Sequence, residues 1–155
     1  MKNMVLVGSL SMVLLFVPAA YADNIISAEN PDAILNIAKG YGSATLEKDP
    51  SNDPFISGRI DSTKYAIVFY GCSNGKECDE IQFVAAWAGE KVSMDDINAW
   101  NRDKKFGKAY LDQDGDPRLE MTVNLDYGVT QRNLDDTFDW WTKALARFKR
   151  DVLKK

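Results

Sequence analysis

The sequence predicts an α+β fold, in which an antiparallel sheet of about five to six strands packs with three helices. Two observations support this prediction. Segments in which apolar and polar residues alternate come between segments whose apolar residues recur every three or four positions. Short turns join most of the predicted strands, so strands that are neighbours in sequence pair antiparallel. The alternating β-α-β order that builds parallel dinucleotide-binding sheets is not apparent.

The first 22 residues have the pattern of a secretory signal peptide. Lys2 supplies a positive charge, an apolar run of roughly 14 residues ends at Val17, and Ala20 and Ala22 form the A-x-A pattern of a cleavage site. The run is too short and too interrupted for a membrane anchor, which needs roughly 20 apolar residues. We expect cleavage after Ala22 and one soluble periplasmic domain over residues 23–155, without a membrane anchor.

The charge and composition of this mature chain exclude several function classes. It carries 18 basic and 23 acidic side chains, which gives a net charge of −5. Nucleic acids and anionic membranes bind basic surfaces, so neither is expected as a partner. The chain contains no histidine, which removes the Ser-His-Asp and Cys-His catalytic systems and the usual zinc ligand set. We predict no cofactor.

A short helix and three strands open the mature chain. Asn30 can cap the helix, Pro31 suits its first position, and Gly40 or Gly42 ends it. The three strands are predicted over the segments SATLEKD, FISGRID and KYAIVFYG. The third segment is almost wholly apolar, which favours a strand in the middle of the sheet.

The two cysteines, Cys72 and Cys78, lie between the third strand and the next predicted strand, EIQFVAAWAG. The intervening Asn74-Gly75 pair is a strong hairpin turn signal. In an oxidising periplasm, cysteines at the facing ends of two hairpin strands should pair. Their spacing is not the C-x-x-C of thiol oxidoreductases, and the acidic residues nearby would raise a thiol pKa. We therefore predict a structural disulfide rather than a reactive site.

The segment "DQDGDP" joins the strands of a second predicted hairpin. Its Asp112, Asp114 and Asp116 stand at positions one, three and five of an EF-hand calcium loop. The glycine and the bidentate acid that such a loop requires would fall on Pro117 and Val123, so the match fails. We predict a hairpin turn here and retain the three aspartates as a weak metal candidate only.

Two more helices complete the prediction. Ser93 and Asp96 form a capping box for the second helix, and Thr130 can cap the third. The third helix carries an apolar stripe at spacings of four and three: Leu134, Phe138, Trp141, Leu145, Phe148 and Val152. A helix over 130–155 would be about 39 Å long, roughly twice the length of a typical strand. Although the stripe should pack on the sheet, we expect part of it to overhang and meet a partner.

The candidate contact residues of this last helix are Trp140, Trp141 and Phe148. Trp140 lies about 100° round the helix from Trp141. If Trp141 faces the sheet, Trp140 therefore lies at the edge of the apolar stripe. Tryptophan is enriched among the residues that dominate binding energy at protein interfaces. Trp140 is thus the strongest of the three candidates.

Three stretches, KAYLDQDGDPRLEMTVNLDYGVT, DWWTKALARF and INAWNRDKKFG, resemble the bacterial YbjN domain family, described as "putative sensory transduction regulators". The resemblance covers about residues 30–148 and is strongest over 106–130. It implies a fold similar to that of type III secretion chaperones, a scaffold often used for dimerisation and protein binding. The family has no established catalytic residues, so the resemblance implies none here.

Two hypotheses for function follow. The favoured one is an exported, non-enzymatic protein-interaction or chaperone-like regulatory module, which binds a protein or peptide through the terminal stripe or a sheet face and can form a homodimer. The alternative is a periplasmic small-ligand binder or a carboxylate-based envelope enzyme. Two or more acids converging in a closed cleft would favour the alternative. Its candidate acids are Asp95, Asp96, Asp135, Asp136 and Asp139.

Overall fold

The computed structural model describes residues 24–155. The predicted signal peptide, with Ala20 and Ala22, lies outside the described residues. In chain order the elements are β1 (Ile25–Ile26), α1 (Pro31–Tyr41), β2 (Ser43–Lys48), β3 (Pro54–Ile60), β4 (Thr63–Tyr70), β5 (Glu80–Ala86), α2 (Met94–Asp103), β6 (Lys108–Leu111), β7 (Pro117–Asn124), β8 (Val129–Thr130) and α3 (Gln131–Asp151). Within this range, no helix is both long enough and apolar enough to cross a membrane.

Six strands form an open antiparallel sheet in the order β2-β3-β4-β5-β7-β6. The α+β prediction is therefore confirmed. The nearly all-apolar strand β4 occupies one of the two central positions, as its composition predicted. Both predicted hairpins also form, β4 with β5 and β6 with β7.

The two faces of the sheet differ in what covers them. On the inner face, Ile67, Phe83 and Leu119 are fully buried. Phe138 and Trp141 of α3 pack there, with their rings 4.9 and 5.4 Å from the ring of Phe83. On the outer face, by strand alternation, lie four half-buried apolar residues: Phe55, Ala66, Val68 and Val84.

A second, two-stranded sheet joins β1 to β8, with Ile25 opposite Thr130 and Ile26 opposite Val129. It ties the start of the described chain to the start of α3, and the backbone N–H of Gln131 donates to the carbonyl of Asn24. No sequence pattern predicts this sheet. Strands of two residues are too short for an alternating pattern to show.

Side-chain caps begin all three helices of the described chain, as predicted. Asn30 Oδ1 accepts from the N–H of Ala33 at 3.1 Å, Ser93 Oγ from Asp96 at 3.0 Å, and Thr130 Oγ1 from Asn133 at 3.1 Å. Each cap satisfies an N–H group that the first helical turn leaves without a partner.

The apolar stripe of α3 is buried along its whole length, so the expectation that part of it overhangs is wrong. Leu134, Phe138, Trp141, Leu145, Phe148 and Val152 are at most 4% exposed. Beyond the sheet, Phe148 stacks on Trp87 at 4.9 Å and meets the edge of Trp100 at 5.1 Å. These two tryptophans extend the apolar surface past the end of β5 and cover the part of the helix that the strand is too short to reach.

Cys72 and Cys78 form a disulfide in the β4–β5 hairpin, with the two Sγ atoms 2.13 Å apart. Between them, Ser73 and Lys76 exchange two backbone hydrogen bonds of 2.7 and 3.0 Å. Asn74 and Gly75 occupy the turn with φ of 55° and 70°. Asn and Gly tolerate positive φ better than other residues, which is why this pair signals such a turn.

Candidate binding groove

A groove lies between the end of α2 and one side of α3. Its volume is about 340 Å³. We call it the aromatic–basic groove, and its lining residues are Trp100, Asp103, Lys104, Lys105, Phe106, Trp140, Lys143, Ala144 and Arg147. Three of these residues are aromatic and four are basic, so the groove combines apolar surface with positive charge.

The α3 side of the groove is built by a simple helical repeat. Trp140, Lys143, Ala144 and Arg147 are at positions i, i+3, i+4 and i+7, which share one face of an α-helix. This face is next to the stripe that packs on the sheet. Ala144 has the smallest side chain of the four, and it leaves space between α3 and the end of α2.

The α2 side is held in place by side-chain hydrogen bonds to the chain that follows the helix. Trp100 Nε1 donates to the carbonyl of Gly107 at 3.0 Å. The amide of Asn101 bonds both the carbonyl and the N–H of Ala109 at 2.9 Å. The turn carrying Lys105 and Phe106 is therefore fixed at both ends. A binding surface fixed in this way loses less conformational entropy when a partner binds.

Two exposed aromatic rings meet at the groove. Phe106 is 45% exposed and Trp140 is 36% exposed, and their ring centroids are 4.8 Å apart. Trp140 Nε1 donates to Asp136 Oδ2 at 3.2 Å, which helps to orient its ring. Elsewhere in residues 24–155, no two of the exposed large apolar side chains form an aromatic pair.

The basic residues of the groove differ in how they are paired. Lys104 lies 3.1 Å from Asp151, and Lys143 pairs with Asp139 while its Nζ lies 5.2 Å from the ring of Trp140. Lys105 and Arg147 are exposed and form no ion pair or side-chain hydrogen bond with any of residues 24–155. These two cations are available to a ligand without first breaking an internal contact.

One acidic residue, Asp103, belongs to the lining. Its carboxylate is bound by the Arg102 guanidinium, with Nε to Oδ1 at 2.9 Å. Four cations and one acid give the lining a formal charge of +3. The described chain as a whole has 18 basic and 22 acidic side chains, so this positive groove lies on an acidic protein.

Of the three contact residues predicted on α3, only Trp140 is exposed. Trp141 and Phe148 are fully buried in the core. Neither can touch a partner unless the helix leaves the sheet. Their place in the stripe explains this burial, because the stripe covers the inner sheet face and the two tryptophans beyond it.

Two of the three aspartates of the β6–β7 turn have engaged carboxylates, and Asp116 Oδ1 accepts from the N–H of Gly89 at 2.9 Å and lies 4.0 Å from Lys91 Nζ. Asp112 Oδ1 accepts from the N–H groups of Asp116 and Asp114 at 3.0 and 3.1 Å, and its Oδ2 accepts from Arg118 at 3.0 Å. The backbone bond from Asp116 and the Arg118 guanidinium hold the pKa of Asp112 below its usual value. In the part of the chain that the structure describes, no three His, Cys, Asp or Glu side chains are arranged to hold a metal ion.

The five acids considered for catalysis do not meet in the groove. Asp96 bonds Ser93 and Lys154, Asp136 accepts from Trp140, and Asp139 pairs with Lys143. None of the five is among the lining residues of the groove. The acids near the groove therefore orient side chains of its wall.

A buried carboxylate that no sequence pattern indicated lies on the outer sheet face. Glu120 is 8% exposed, and it accepts from the Tyr110 hydroxyl at 2.6 Å and from Lys108 Nζ at 2.9 Å. Burial opposes ionisation of Glu120, but these hydrogen bonds outweigh it and lower the pKa of the carboxyl. All the partners lie on β6 and β7, so the cluster fixes the edge of the sheet.

Of the nine lining residues, only Trp140 was predicted as a contact. Four of the others supply exposed aromatic or basic surface: Lys105, Phe106, Lys143 and Arg147. The last two carry a signal that could have found them, since they lie three and seven positions after Trp140. The first two are on a different element, and periodicity along α3 does not point to them.

One protein-family model, "YbjN: Putative bacterial sensory transduction regulator", matches residues 30–154. A search of curated proteins found no match. Because the family match covers most of the chain, the protein belongs to the YbjN family, and the resemblance stated from its sequence is confirmed. This family suggests a regulatory or chaperone-like role, and it is not a known enzyme family.

Proposed function

We propose that this member of the YbjN family is an exported, non-enzymatic protein-binding module of the bacterial envelope, and that the aromatic–basic groove is its binding surface. The observation that carries the proposal is the exposed Trp140–Phe106 pair beside Lys105 and Arg147, two cations without an ion-pair partner among residues 24–155. Tryptophan and arginine are the residues most enriched at the energetic centres of protein interfaces. The groove supplies both on a fixed surface.

The size of the groove is compatible with one or two side chains of a larger partner. Small-molecule sites usually enclose about 300 to 1,000 Å³, and a volume of about 340 Å³ is at the lower end of that range. The alternative of a carboxylate enzyme needs two convergent acids. The lining offers one acid, Asp103, which Arg102 already binds.

Export is supported by the disulfide and by the predicted signal peptide. Disulfides persist in oxidising compartments and are rare in the cytosol. We expect that the protein purified from the envelope begins at Asp23, and that it shows no free thiol under denaturing conditions. Intact mass and a thiol assay test both points. A chain that keeps residues 1–22, or that carries reactive Cys72, would contradict export as a cleaved protein.

The binding surface can be tested by photocrosslinking in living cells. A photoreactive phenylalanine analogue replaces Trp140, and in a control it replaces Tyr127, which is 94% exposed and outside the groove. We expect a discrete protein adduct at position 140 and none of the same mass at position 127. Identical adducts at both positions, or no adduct at position 140, would contradict the groove as the binding surface.

A homodimer is a second proposal, and the outer sheet face favours it. The half-buried Phe55, Ala66, Val68 and Val84 leave apolar surface that no helix within residues 24–155 covers. A second copy could cover this face, whereas the buried stripe of α3 offers none. Light scattering after size exclusion should show a dimer or a concentration-dependent equilibrium that Val68→Lys shifts to monomer. A strict monomer at high micromolar concentration would end this proposal.

A further inference from the structure

We infer that the aromatic–basic groove binds an acidic segment of a polypeptide, with one apolar side chain on the Trp140–Phe106 pair and acidic side chains on Lys105, Lys143 and Arg147. The inference rests on the proposed function and names the chemistry of the partner. Its first ground is charge complementarity. The lining has a formal charge of +3, and two of its four cations have no internal partner within residues 24–155.

The spacing of the α3 residues suggests the pattern of the bound segment. Trp140, Lys143 and Arg147 are separated along the helix axis by about 4.5 and 6 Å, at 1.5 Å per residue. Alternate residues of an extended chain are about 6.6 Å apart. An extended segment lying along α3 can thus present an apolar side chain to Trp140 and acids, two and four positions away, to Lys143 and Arg147. The long basic side chains can absorb the remaining difference in spacing.

The charge of the rest of the protein favours a short acidic segment over an extended polyanion. The described chain has four more acidic than basic side chains. Nucleic acids and anionic bilayers would extend beyond the groove and meet this negative surface, which repels them. A peptide of a few residues keeps its charges within the positive lining. We therefore assign the groove to an acidic polypeptide segment.

The test uses the mature chain, residues 23–155, and labelled peptides in a fluorescence anisotropy titration. The probe peptide has nine residues, with Phe at position three, Glu at positions five and seven, and Ser or Gly elsewhere. One control peptide carries Lys in place of Glu, and another carries Ser in place of Phe. We expect the probe to bind more than tenfold tighter than either control, and to weaken as salt is raised.

Matched variants test whether the probe peptide binds in the groove. We expect Lys105→Gln with Arg147→Gln to weaken the probe about tenfold or more, and Trp140→Ala to weaken it similarly. The control variant is Lys39→Gln with Lys64→Gln, which removes two exposed cations outside the groove. It should leave binding within about twofold of the unmodified protein, and circular dichroism should confirm that every variant is folded.

The outcomes separate this inference from the proposed function. An adduct at position 140 in cells, together with equal binding of the acidic and basic peptides, would overturn the acidic assignment and leave the protein-binding proposal standing. Equal losses in the groove variant and the control variant would show general charge attraction, and would overturn the inference. So would tighter binding of a nine-base oligonucleotide, or of vesicles containing anionic lipid, than of the probe. Absence of both the adduct and peptide binding would overturn both proposals.

Discussion

Trp141 and Trp140 are neighbours on α3, yet one is fully buried and the other is 36% exposed. Trp141 lies on the side that packs on the sheet, with its ring 5.4 Å from Phe83 and 6.5 Å from Tyr65. Trp140 lies on the groove side, in contact with Phe106 and near Lys143. The two sides of the same helix therefore have different surroundings.

The difference shows what each side of α3 is suited to do. On the sheet side, two polar atoms are buried without a hydrogen-bond partner among the described residues: Trp141 Nε1 and Tyr65 Oη. The groove side instead keeps aromatic and basic groups in contact with solvent. Burial of apolar surface stabilises the fold, whereas exposed aromatic surface is typical of binding sites. We therefore expect substitutions on the sheet side to lower stability, and substitutions on the groove side to weaken binding.

The largest expected effect is the difference in stability between a Trp141 variant and a Trp140 variant. Trp141→Ala should lower the free energy of unfolding by about 3 to 5 kcal/mol, because it opens a cavity in the core. Trp140→Ala should change it by less than about 1 kcal/mol, since the side chain is partly exposed. Urea denaturation followed by circular dichroism measures both. If the two variants lose equal stability, the groove side is structural and the comparison fails.

The disulfide provides a way to change stability without touching the groove. Replacing Cys72 and Cys78 together by Ser should cost about 2 kcal/mol, the chain-entropy value for so short a loop. The double variant should melt at a lower temperature in calorimetry and still bind the acidic probe peptide with unchanged affinity. Loss of that affinity in the folded variant would show that the groove depends on the hairpin, and that binding and stability are not separable here.

Alkaline pH should lower the free energy of unfolding, in part through Tyr65, whose ring lies 6.5 Å from that of Trp141 on the sheet side of α3. Tyr41, whose pKa burial also raises to about 12, contributes to the same loss. Burial raises the pKa of Tyr65 to about 12, against about 10 for the unfolded chain. The contribution of Tyr65 is therefore complete below pH 10 and is lost as the pH rises towards 12, by about 1.4 kcal/mol per pH unit. Urea titrations at pH 9, 10 and 11 should show this slope, and Tyr65→Phe should reduce it. Tyr127→Phe is the exposed control. An equal change of slope in that variant would show that the slope does not come from Tyr65.

A modest loss of stability is expected at the wall of the groove. Asn101→Ala removes the two hydrogen bonds to Ala109 and should cost roughly 1 to 2 kcal/mol. Because the turn that carries Lys105 and Phe106 would loosen, binding of the probe peptide should weaken more than the change in stability alone suggests. Asn36→Ala, an exposed change on α1, is the control. Unchanged peptide affinity in Asn101→Ala would show that a fixed wall is not needed.

Local features of the chain predicted most of the fold. Asn30, Ser93 and Thr130 cap the helices as expected, and the Asn74-Gly75 turn sets the disulfide hairpin. Each depends on residues within a few positions of one another. The β1–β8 pair was missed because it joins residues about 100 positions apart. The predicted overhang of the α3 stripe was wrong for a related reason. Trp87 and Trp100 cover the end of the stripe, and they contact it only in the folded protein.

The sequence by itself determined the helix caps, the strand alternation, the cysteine hairpin and the place of Trp140 at the edge of the α3 stripe, because each follows from short-range spacing on one element. Only the tertiary structure decided that the whole stripe is buried and that Trp140 meets Phe106. The groove needs residues 34 positions apart in sequence to come within 4.8 Å. That distance is set by how α2 and α3 pack on the same sheet, and no local pattern in the chain contains it.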